Sequence, residues 1–188
     1  MCTSLTPSQT NLYKEIVKEI KNPTLSRPNY ILTGLSGVGK TVLGKYLCKT
    51  MSGYYISFTN ELGERFLEDV DLLDIDGTDL LQFIDSYIIN NSRDKLFVID
   101  DLEFVFNYIV HNKKIVNFMR SYKRMYYYNK VILIIPRISL EGKHDENLYE
   151  LKFNDKDKQF LAEYYSIPKS VAIDLNNGYY FRGNISGS

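Results

Sequence analysis

Short apolar runs and longer amphipathic segments alternate along this chain. The runs NYILT (29–33), GYYISFT (53–59), KLFVID (95–100) and KVILII (130–135) have the length and the β-branched or aromatic content of strands. The last two are apolar almost throughout, which is typical of strands that a parallel sheet buries on both faces. Between the runs, hydrophobic residues recur every three or four positions, as on one face of a helix. This alternation predicts a three-layer α/β fold in which helices flank a mainly parallel sheet.

The first predicted helix carries signals at both of its ends. Thr6 has the side chain of an N-cap, Pro7 suits the first helical position, and Gln9 completes a capping box. The dipeptide Asn22-Pro23 ends the helix, because a residue that precedes proline is disfavoured in the helical conformation. Further helices are predicted over residues 39–51, 61–70, 77–90, 112–127 and 156–167.

The predicted elements fit one domain. A chain of 188 residues has the length of a single domain, which we expect to cover residues 1–170. NLYELKF (147–153) is predicted as a short strand at the end of the core. The tail has no clear period, and we expect its GNISGS end to be disordered. The predicted parts are an N-terminal helix at 1–23, a core at 29–153, a short C-terminal helix at 154–170 and a tail at 171–188.

Composition narrows the class of protein without identifying a partner. Lysine plus arginine and aspartate plus glutamate number 23 each, so the global charge favours neither nucleic acid nor a membrane surface. Two cysteines cannot build a disulfide framework, and Cys48 lies on an apolar helical face. No apolar run has the length of a membrane span, and no leader pattern precedes the first helix. We therefore expect a cytoplasmic protein with reduced thiols.

A glycine-rich motif follows the first predicted strand. GLSGVGKT, residues 34–41, matches the Walker A pattern in full, with a strand before it and a helix after it. Glycines let successive backbone N–H groups turn towards phosphate oxygens, and the helix N-terminus adds partial positive charge. Lys40 is expected to reach the β- and γ-phosphates, whereas the competing interpretation is a chance glycine-rich turn. The predicted nucleotide contacts are Gly34, Leu35, Ser36, Gly37, Val38, Gly39, Lys40, Thr41 and Val42.

A second motif supplies a candidate metal ligand. LFVIDDLE (96–103) contains four apolar residues that end in Asp100, the pattern of a Walker B strand. Ligands of such folds bind at the carboxyl ends of the strands, so Asp100 is expected to hold Mg²⁺ together with the Thr41 hydroxyl. The competing interpretation is an aspartate that caps a helix after an ordinary strand.

Three residues near these motifs are candidates for catalysis: Lys40, Asp101 and Glu103. Asp101 occupies the position at which many hydrolytic P-loop proteins carry glutamate, and it is shorter by one methylene. Glu103 is either structural or catalytic, and Asp101 is favoured over it. The short carboxylate predicts slow ATP hydrolysis. After the run KVILII, Arg137 or Ser139 either senses the γ-phosphate or belongs to a simple turn, and Arg137 is also a candidate for a trans arginine or a nucleic-acid contact.

A basic segment lies between the second motif and the last long apolar run. Residues 111–130 contain no acidic side chain, and helical spacing directs Tyr122 inward and Arg120 and Arg124 outward. The two arginines are candidates for an arginine finger that completes a neighbour's site. The same face suits nucleic-acid phosphates or an acidic protein partner. A solvated basic helix without a ligand is the plainest interpretation.

Three stretches together resemble a known family. GLSGVGKT, GYYISFTNELGERFLE and above all VIDDLEFVF, followed by a helix and VILIIP, are similar to BrxF, the small P-loop component of type 3 BREX phage-exclusion systems. The likeness covers about residues 30–153, and its most specific part is the block from Asp100 to Glu103. Asp101 departs from the asparagine associated with that position. The resemblance implies an ATPase within a multi-protein defence complex that acts against phage DNA.

The C-terminal part has a broader likeness. NLYELKFNDKDKQFLAEYY is similar to the point at which AAA+ ATPases leave their last core strand for the lid. The chain ends soon afterwards, which predicts a lid that is truncated or absent and weakens the case for a self-assembled ring.

Three functions that use a nucleotide stay open at this point, beside a scaffold protein that binds none. The first is an Mg-ATP-binding, slow ATPase that acts as a regulatory or assembly component, through protein partners or as a homo-oligomer. The second is a small-molecule kinase with the same phosphate loop, against which stands the lack of a lid with paired arginines between residues 137 and 165. The third is a DNA-associated loader that uses the basic segment. The Asn-Lys-x-Asp motif of GTPases is missing, which favours ATP over GTP.

Overall fold

The computed structural model describes part of the chain, and all structural statements concern that part. The described residues are 5–22, 29–34, 37–71, 75, 77–91, 95–106, 118, 121–122, 130–136, 138–139, 149–150, 170–174 and 179–181. The helices are α1 (Pro7–Lys21), α2 (Lys40–Met51), α3 (Phe58–Glu61), α4 (Gly63–Asp69) and α5 (Gly77–Asn91). The strands are β1 (Asn29–Gly34), β2 (Tyr54–Ser57), β3 (Leu96–Asp100), β4 (Lys130–Pro136), β5 (Ile138–Ser139), β6 (Tyr149–Glu150), β7 (Ser170–Asp174) and β8 (Tyr179–Phe181).

Six of the strands form the main sheet, in the order β2-β3-β4-β1-β7-β8. Five of these strands run parallel to one another: β2, β3, β4, β1 and β7. The sixth, β8, pairs antiparallel with β7. Since parallel strands point the same way, the carboxyl ends of β1, β2, β3 and β4 meet at one edge. The register places Ser57 beside Asp100 and Gly34 beside Pro136 at this edge. Polar groups that follow these strands are therefore brought together.

Helices cover both faces of the sheet, because alternate strand residues point to opposite sides. Ile31, Ile99 and Leu133 belong to a first core with residues of α3, α4 and α5. Leu32 and Val98 belong to a second core with residues of α1 and α2. All five residues of β3 are buried, as expected of a strand covered on both faces. The arrangement is an α/β fold with a parallel sheet and flanking helices, as the alternating pattern predicts.

The first helix has the predicted ends. Thr6 is the N-cap of α1, and its hydroxyl accepts a hydrogen bond from the Gln9 backbone N–H at 3.3 Å. The Gln9 side chain in return accepts from the Thr6 backbone N–H at 3.0 Å, so the capping box is confirmed. Leu12, Ile16 and Ile20 are buried against the second core. The cap and the apolar stripe together fix how α1 lies on the sheet.

Two boundaries near β2 differ from the sequence prediction. The strand predicted over 53–59 ends at Ser57, and Phe58 instead begins α3. Phe58 is fully buried and meets the Phe66 ring edge-to-face at 5.3 Å, so the chain turns to place this ring in the first core. The helix predicted over 61–70 is confirmed as α4, which begins two residues later at Gly63 and ends at Asp69, and α3 precedes it as a separate short helix.

The end of the sheet also differs from the prediction. Of NLYELKF the structure describes residues 149–150, which form β6 and pair with β5 in a separate two-stranded sheet. The place beside β1 is taken by β7, in the tail predicted from residue 171. The core assignment of 29–153 therefore leaves out a strand of the main sheet. Its apolar residues are only Val171, Ala172 and Ile173, too short a run to distinguish from a loop.

Candidate functional site

The glycine-rich segment, residues 34–39, joins β1 to α2. Gly37 and Gly39 have φ angles of 79° and 92°, a region that glycine adopts readily and other residues rarely do. Gly39 is the N-cap of α2, and Lys40 is the first helical residue. The first N–H groups of a helix have no partner within the helix and carry partial positive charge, which favours an anion. Leu35 and Ser36 lie outside the described residues.

A buried carboxylate lies beside the start of α2. Asp100, the last residue of β3, is 2% exposed. Its Oδ2 accepts hydrogen bonds from the Thr41 hydroxyl at 2.6 Å and from the Tyr55 hydroxyl at 2.7 Å. Its Oδ1 accepts from the Asp101 backbone N–H at 2.9 Å. Hydrogen bonds of this kind compensate for taking a charged group out of water, so α2, β2 and β3 jointly hold the carboxylate in one place.

Tyr55 is a site residue that the sequence does not identify. Burial raises the pKa of its hydroxyl, and the hydrogen bond to the Asp100 carboxylate raises this pKa further. The phenol therefore stays protonated and donates to Asp100 at physiological pH. The Lys45 ammonium lies over the same ring, 4.8 Å from its centroid. Tyr55 comes beside Asp100 because β2 and β3 are neighbours in the sheet, and the local sequence does not give the order of the strands.

Asp101 belongs to a second polar cluster at the end of β2. Its φ angle is 59°, a left-handed conformation that aspartate tolerates better than most residues. The Ser57 hydroxyl donates to the Asp101 carboxylate, and the Thr59 hydroxyl donates to the Asp101 carbonyl at 2.7 Å. The Asn60 side-chain amide donates to the Ser57 hydroxyl at 2.6 Å. The carboxylate of Asp101 is thus engaged by β2 rather than turned freely towards solvent.

Glu103 shares the electrostatic environment of this site. It begins a helical turn over residues 103–106 and keeps part of its side chain exposed. Desolvation raises the pKa of its carboxyl, and the charges of Asp100 and Asp101 raise it further. The positive charge of Lys40 lowers the same pKa, though not enough to cancel these effects. Glu103 is therefore more basic than an ordinary glutamate and senses all three charged neighbours.

The N-terminal helix also contacts the glycine-rich segment. Gln9 Nε2 donates to the Val38 carbonyl at 3.3 Å. A Cβ atom at Gly39 would overlap the same nitrogen, so the helix and the segment are in van der Waals contact. The sequence identifies Gln9 only as a capping residue, because nothing local shows that α1 packs beside α2.

The structure brings two groups of predicted residues together. Lys40 and Thr41 begin α2, Asp100 ends the neighbouring strand β3, and Asp101 and Glu103 come directly after it. Gly34 ends β1, and Val42 lies half-buried in the first turn of α2. Arg120, Arg124 and Arg137 lie outside the described residues.

Two oxygen groups at the site could hold a metal that takes few protein ligands. Among the described residues, no group of three or more His, Cys, Asp or Glu side chains could hold an ion. Mg²⁺ in nucleotide sites needs no such group, because it binds one or two protein oxygens and completes its shell with phosphates and water. The Thr41 hydroxyl and the Asp100 carboxylate are an adjacent pair of this kind.

Comparisons with known proteins add no family. No protein-family model matches the chain, and no curated protein matches it. None of the helices within the described ranges has the length and apolar character needed to cross a bilayer. The fold class and the site geometry are therefore the basis for assigning a function.

Proposed function

We propose that this chain binds Mg-ATP and is a slow ATPase. The observation that carries the proposal is the hydrogen bond between Thr41, at the start of α2, and the buried Asp100, across 59 positions of sequence. It joins the start of α2, directly after the glycine-rich segment, to the end of β3, as a phosphate loop and a magnesium-binding strand require. A glycine-rich turn that arose by chance would not be expected to lie beside a buried carboxylate.

The order of the strands supports the same proposal. β4 is inserted between β1, which leads into the glycine-rich segment, and β3, which ends in Asp100. An inserted strand at this place is the feature for which additional-strand P-loop ATPases are named. The similarity to additional-strand ATPases concerns the order of the five parallel strands and indicates no particular family.

Each site residue has a distinct role in this proposal. The N-terminus of α2 and Lys40 would hold the phosphates, and Thr41 and Asp100 would hold Mg²⁺. When bound, the metal would neutralise the charge that develops on the phosphates. Glu103 or Asp101 would orient the attacking water. Turnover would be slow, because Asp101 is already engaged by Ser57 and is shorter by one methylene than glutamate.

Slow turnover suits a regulatory role better than a metabolic one. We propose a regulatory or assembly role within a multi-protein complex. The resemblance to small P-loop proteins of phage-exclusion systems makes anti-phage defence the first setting to test.

The proposal is tested by calorimetric titration of the protein with ATP, with and without Mg²⁺. Lys40→Ala is expected to abolish binding, since its ammonium is the main positive charge offered to the phosphates. Lys49→Ala removes an exposed lysine from the last turn of the same helix and is expected to bind like wild type. Equal binding by all three proteins would overturn the phosphate-loop assignment, and so would a wild-type protein that binds no nucleotide.

A further inference from the structure

The carboxamide of Gln9 connects two parts of the molecule that the proposed function treats separately. Its Oε1 accepts from the Thr6 backbone N–H at 3.0 Å and completes the cap of α1. Its Nε2 donates to the Val38 carbonyl at 3.3 Å, 29 positions away in sequence. One planar group therefore ties the start of α1 to the glycine-rich segment.

The contact constrains the segment as well as the helix. Gly39 has a φ angle of 92°, and a Cβ there would overlap Gln9 Nε2. The lack of a side chain at Gly39 thus lets the Gln9 amide approach the backbone at the point where α2 begins. Gly37, in contrast, has open space where a Cβ would lie. Gln9 therefore packs against the part of the segment that sets the direction of the first N–H groups of α2.

We propose that Gln9 is a positioning residue for nucleotide binding, and that α1 is thereby part of the nucleotide site. This inference rests on the proposed function. By holding the Val38 carbonyl, Gln9 turns that peptide away from the phosphates and keeps the N–H groups that follow it in a fixed arrangement. Preorganised donors bind an anion more tightly than donors that must first be ordered. Loss of the contact should weaken binding of the phosphates without changing the chemical step.

Three variants separate this role from capping. Gln9→Met keeps the length of the side chain but neither donates nor accepts. Gln9→Glu can still accept from the Thr6 N–H and so preserve the cap, but it cannot donate to the Val38 carbonyl. Thr6→Ala removes the N-cap hydroxyl and leaves the Gln9 to Val38 contact in place. Thr6→Ala should therefore change stability alone and Gln9→Glu affinity alone, whereas Gln9→Met should change both.

The experiment measures the affinity for Mg-ATP, KM and kcat, well below the melting temperature of each variant. Both Gln9 variants are expected to bind about tenfold more weakly, a ratio that corresponds to about 1.4 kcal/mol. KM should rise with kcat unchanged, which is the signature of lost uniform binding. Thr6→Ala should lower the melting temperature and leave the affinity as in wild type.

Amide hydrogen exchange of the nucleotide-free protein supplies a second readout. Residues 38–41 should exchange faster in Gln9→Met than in wild type or in Thr6→Ala. Wild-type affinity in Gln9→Met, or an equal loss in Thr6→Ala, would overturn the inference while Lys40→Ala still establishes nucleotide binding. Weak binding in Gln9→Glu alone would also overturn it, because charge repulsion would then explain the result. A wild-type protein that binds no nucleotide would overturn the proposed function and this inference together.

Discussion

Asp100 and Asp101 are adjacent in sequence, yet the fold gives them different environments. Asp100 is almost fully buried and accepts from three donors, so its position is fixed by three separate elements. Asp101 has a positive φ angle, which costs roughly 1–3 kcal/mol for a residue other than glycine. The hydroxyls of Ser57 and Thr59 compensate for that conformation by holding the carboxylate and the carbonyl of Asp101. Asp100 is therefore suited to hold a metal, and Asp101 to shape the turn that follows β3.

This difference predicts which carboxylate orients the attacking water. Glu103→Gln is expected to lower kcat for ATP hydrolysis by about 10²-fold or more, the usual contribution of a general base. Asp101→Asn should lower it less, because the Asp101 side chain already accepts from Ser57. Affinity for Mg-ATP should be retained in both variants, which separates loss of catalysis from loss of binding. Steady-state kinetics and calorimetry on the same preparations measure the two quantities.

The pH profile of hydrolysis checks the same assignment. A general base must be deprotonated, and its neighbours raise the pKa of Glu103 above that of an ordinary glutamate. The wild-type rate should therefore fall as pH falls through this raised pKa, at a higher pH than an unperturbed glutamate would give. Glu103→Gln should lack that acidic limb. A larger loss in Asp101→Asn than in Glu103→Gln would instead assign the role to Asp101.

At the scale of single elements, α2 determines the geometry of the site. Its N-terminus follows Gly39, its second residue Thr41 reaches Asp100, and its inner face packs on the sheet. Gly44 lies where the helix passes closest to the strands. A Cβ there would stand 2.9 Å from Ile134 Cδ1 and 3.0 Å from Val98 Cγ1. The depth at which α2 lies on β3 and β4 thus depends on a missing side chain.

Gly44→Val is expected to push α2 away from the sheet. Overpacking of this kind costs about 1–3 kcal/mol of the free energy of unfolding. Lys49→Val is the matched control, since it places the same β-branched residue at an exposed position of the same helix. Urea denaturation of both variants measures the difference. An equal loss in the two would contradict the close approach at Gly44, because valine has a higher helix propensity than glycine and a lower one than lysine.

The elements that the sequence predicts well are those with strong local signals. α1 has a capping box at its start, and β3 and β4 are nearly continuous apolar runs. The sequence does not indicate β7, because its short apolar run has no such signal. The end of β2 was placed too late, since Phe58 belongs to a helix only through its packing in the first core. Element boundaries that tertiary contacts determine cannot be predicted from the local pattern of apolar and polar residues.

At the scale of the whole molecule, some residues of the candidate site can be predicted from local motifs and others only from the fold. Lys40, Thr41 and Asp100 follow from two motifs, whose residue types phosphate and magnesium require. Tyr55 and Gln9 do not, because each becomes part of the site only when the sheet order and helix packing place it there. Their side chains act on the motif residues rather than on a ligand. Such supporting residues cannot be found without the topology.

The last prediction concerns assembly. ATP hydrolysis per protomer should rise with protein concentration if a neighbouring copy completes each site with an arginine. Among the described residues one arginine is present, Arg65, and its side chain pairs with Asp69 at 3.9 Å on the exposed surface of α4. The sequence predicts Arg120 and Arg124 as the outward-facing candidates on the basic segment. Turnover is measured over a wide range of protein concentration with no second substrate.

Mixing two inactive variants decides whether the sites are shared. Lys40→Ala removes the phosphate-binding lysine but keeps both arginines, and Arg120→Ala with Arg124→Ala keeps the lysine but removes the arginines. In a composite site, a Lys40→Ala protomer can supply an arginine to a neighbour that still binds ATP. The mixture should then hydrolyse ATP although neither variant does so alone. A rate per protomer that is independent of concentration, with no recovery on mixing, would mean that each protomer carries a complete site of its own.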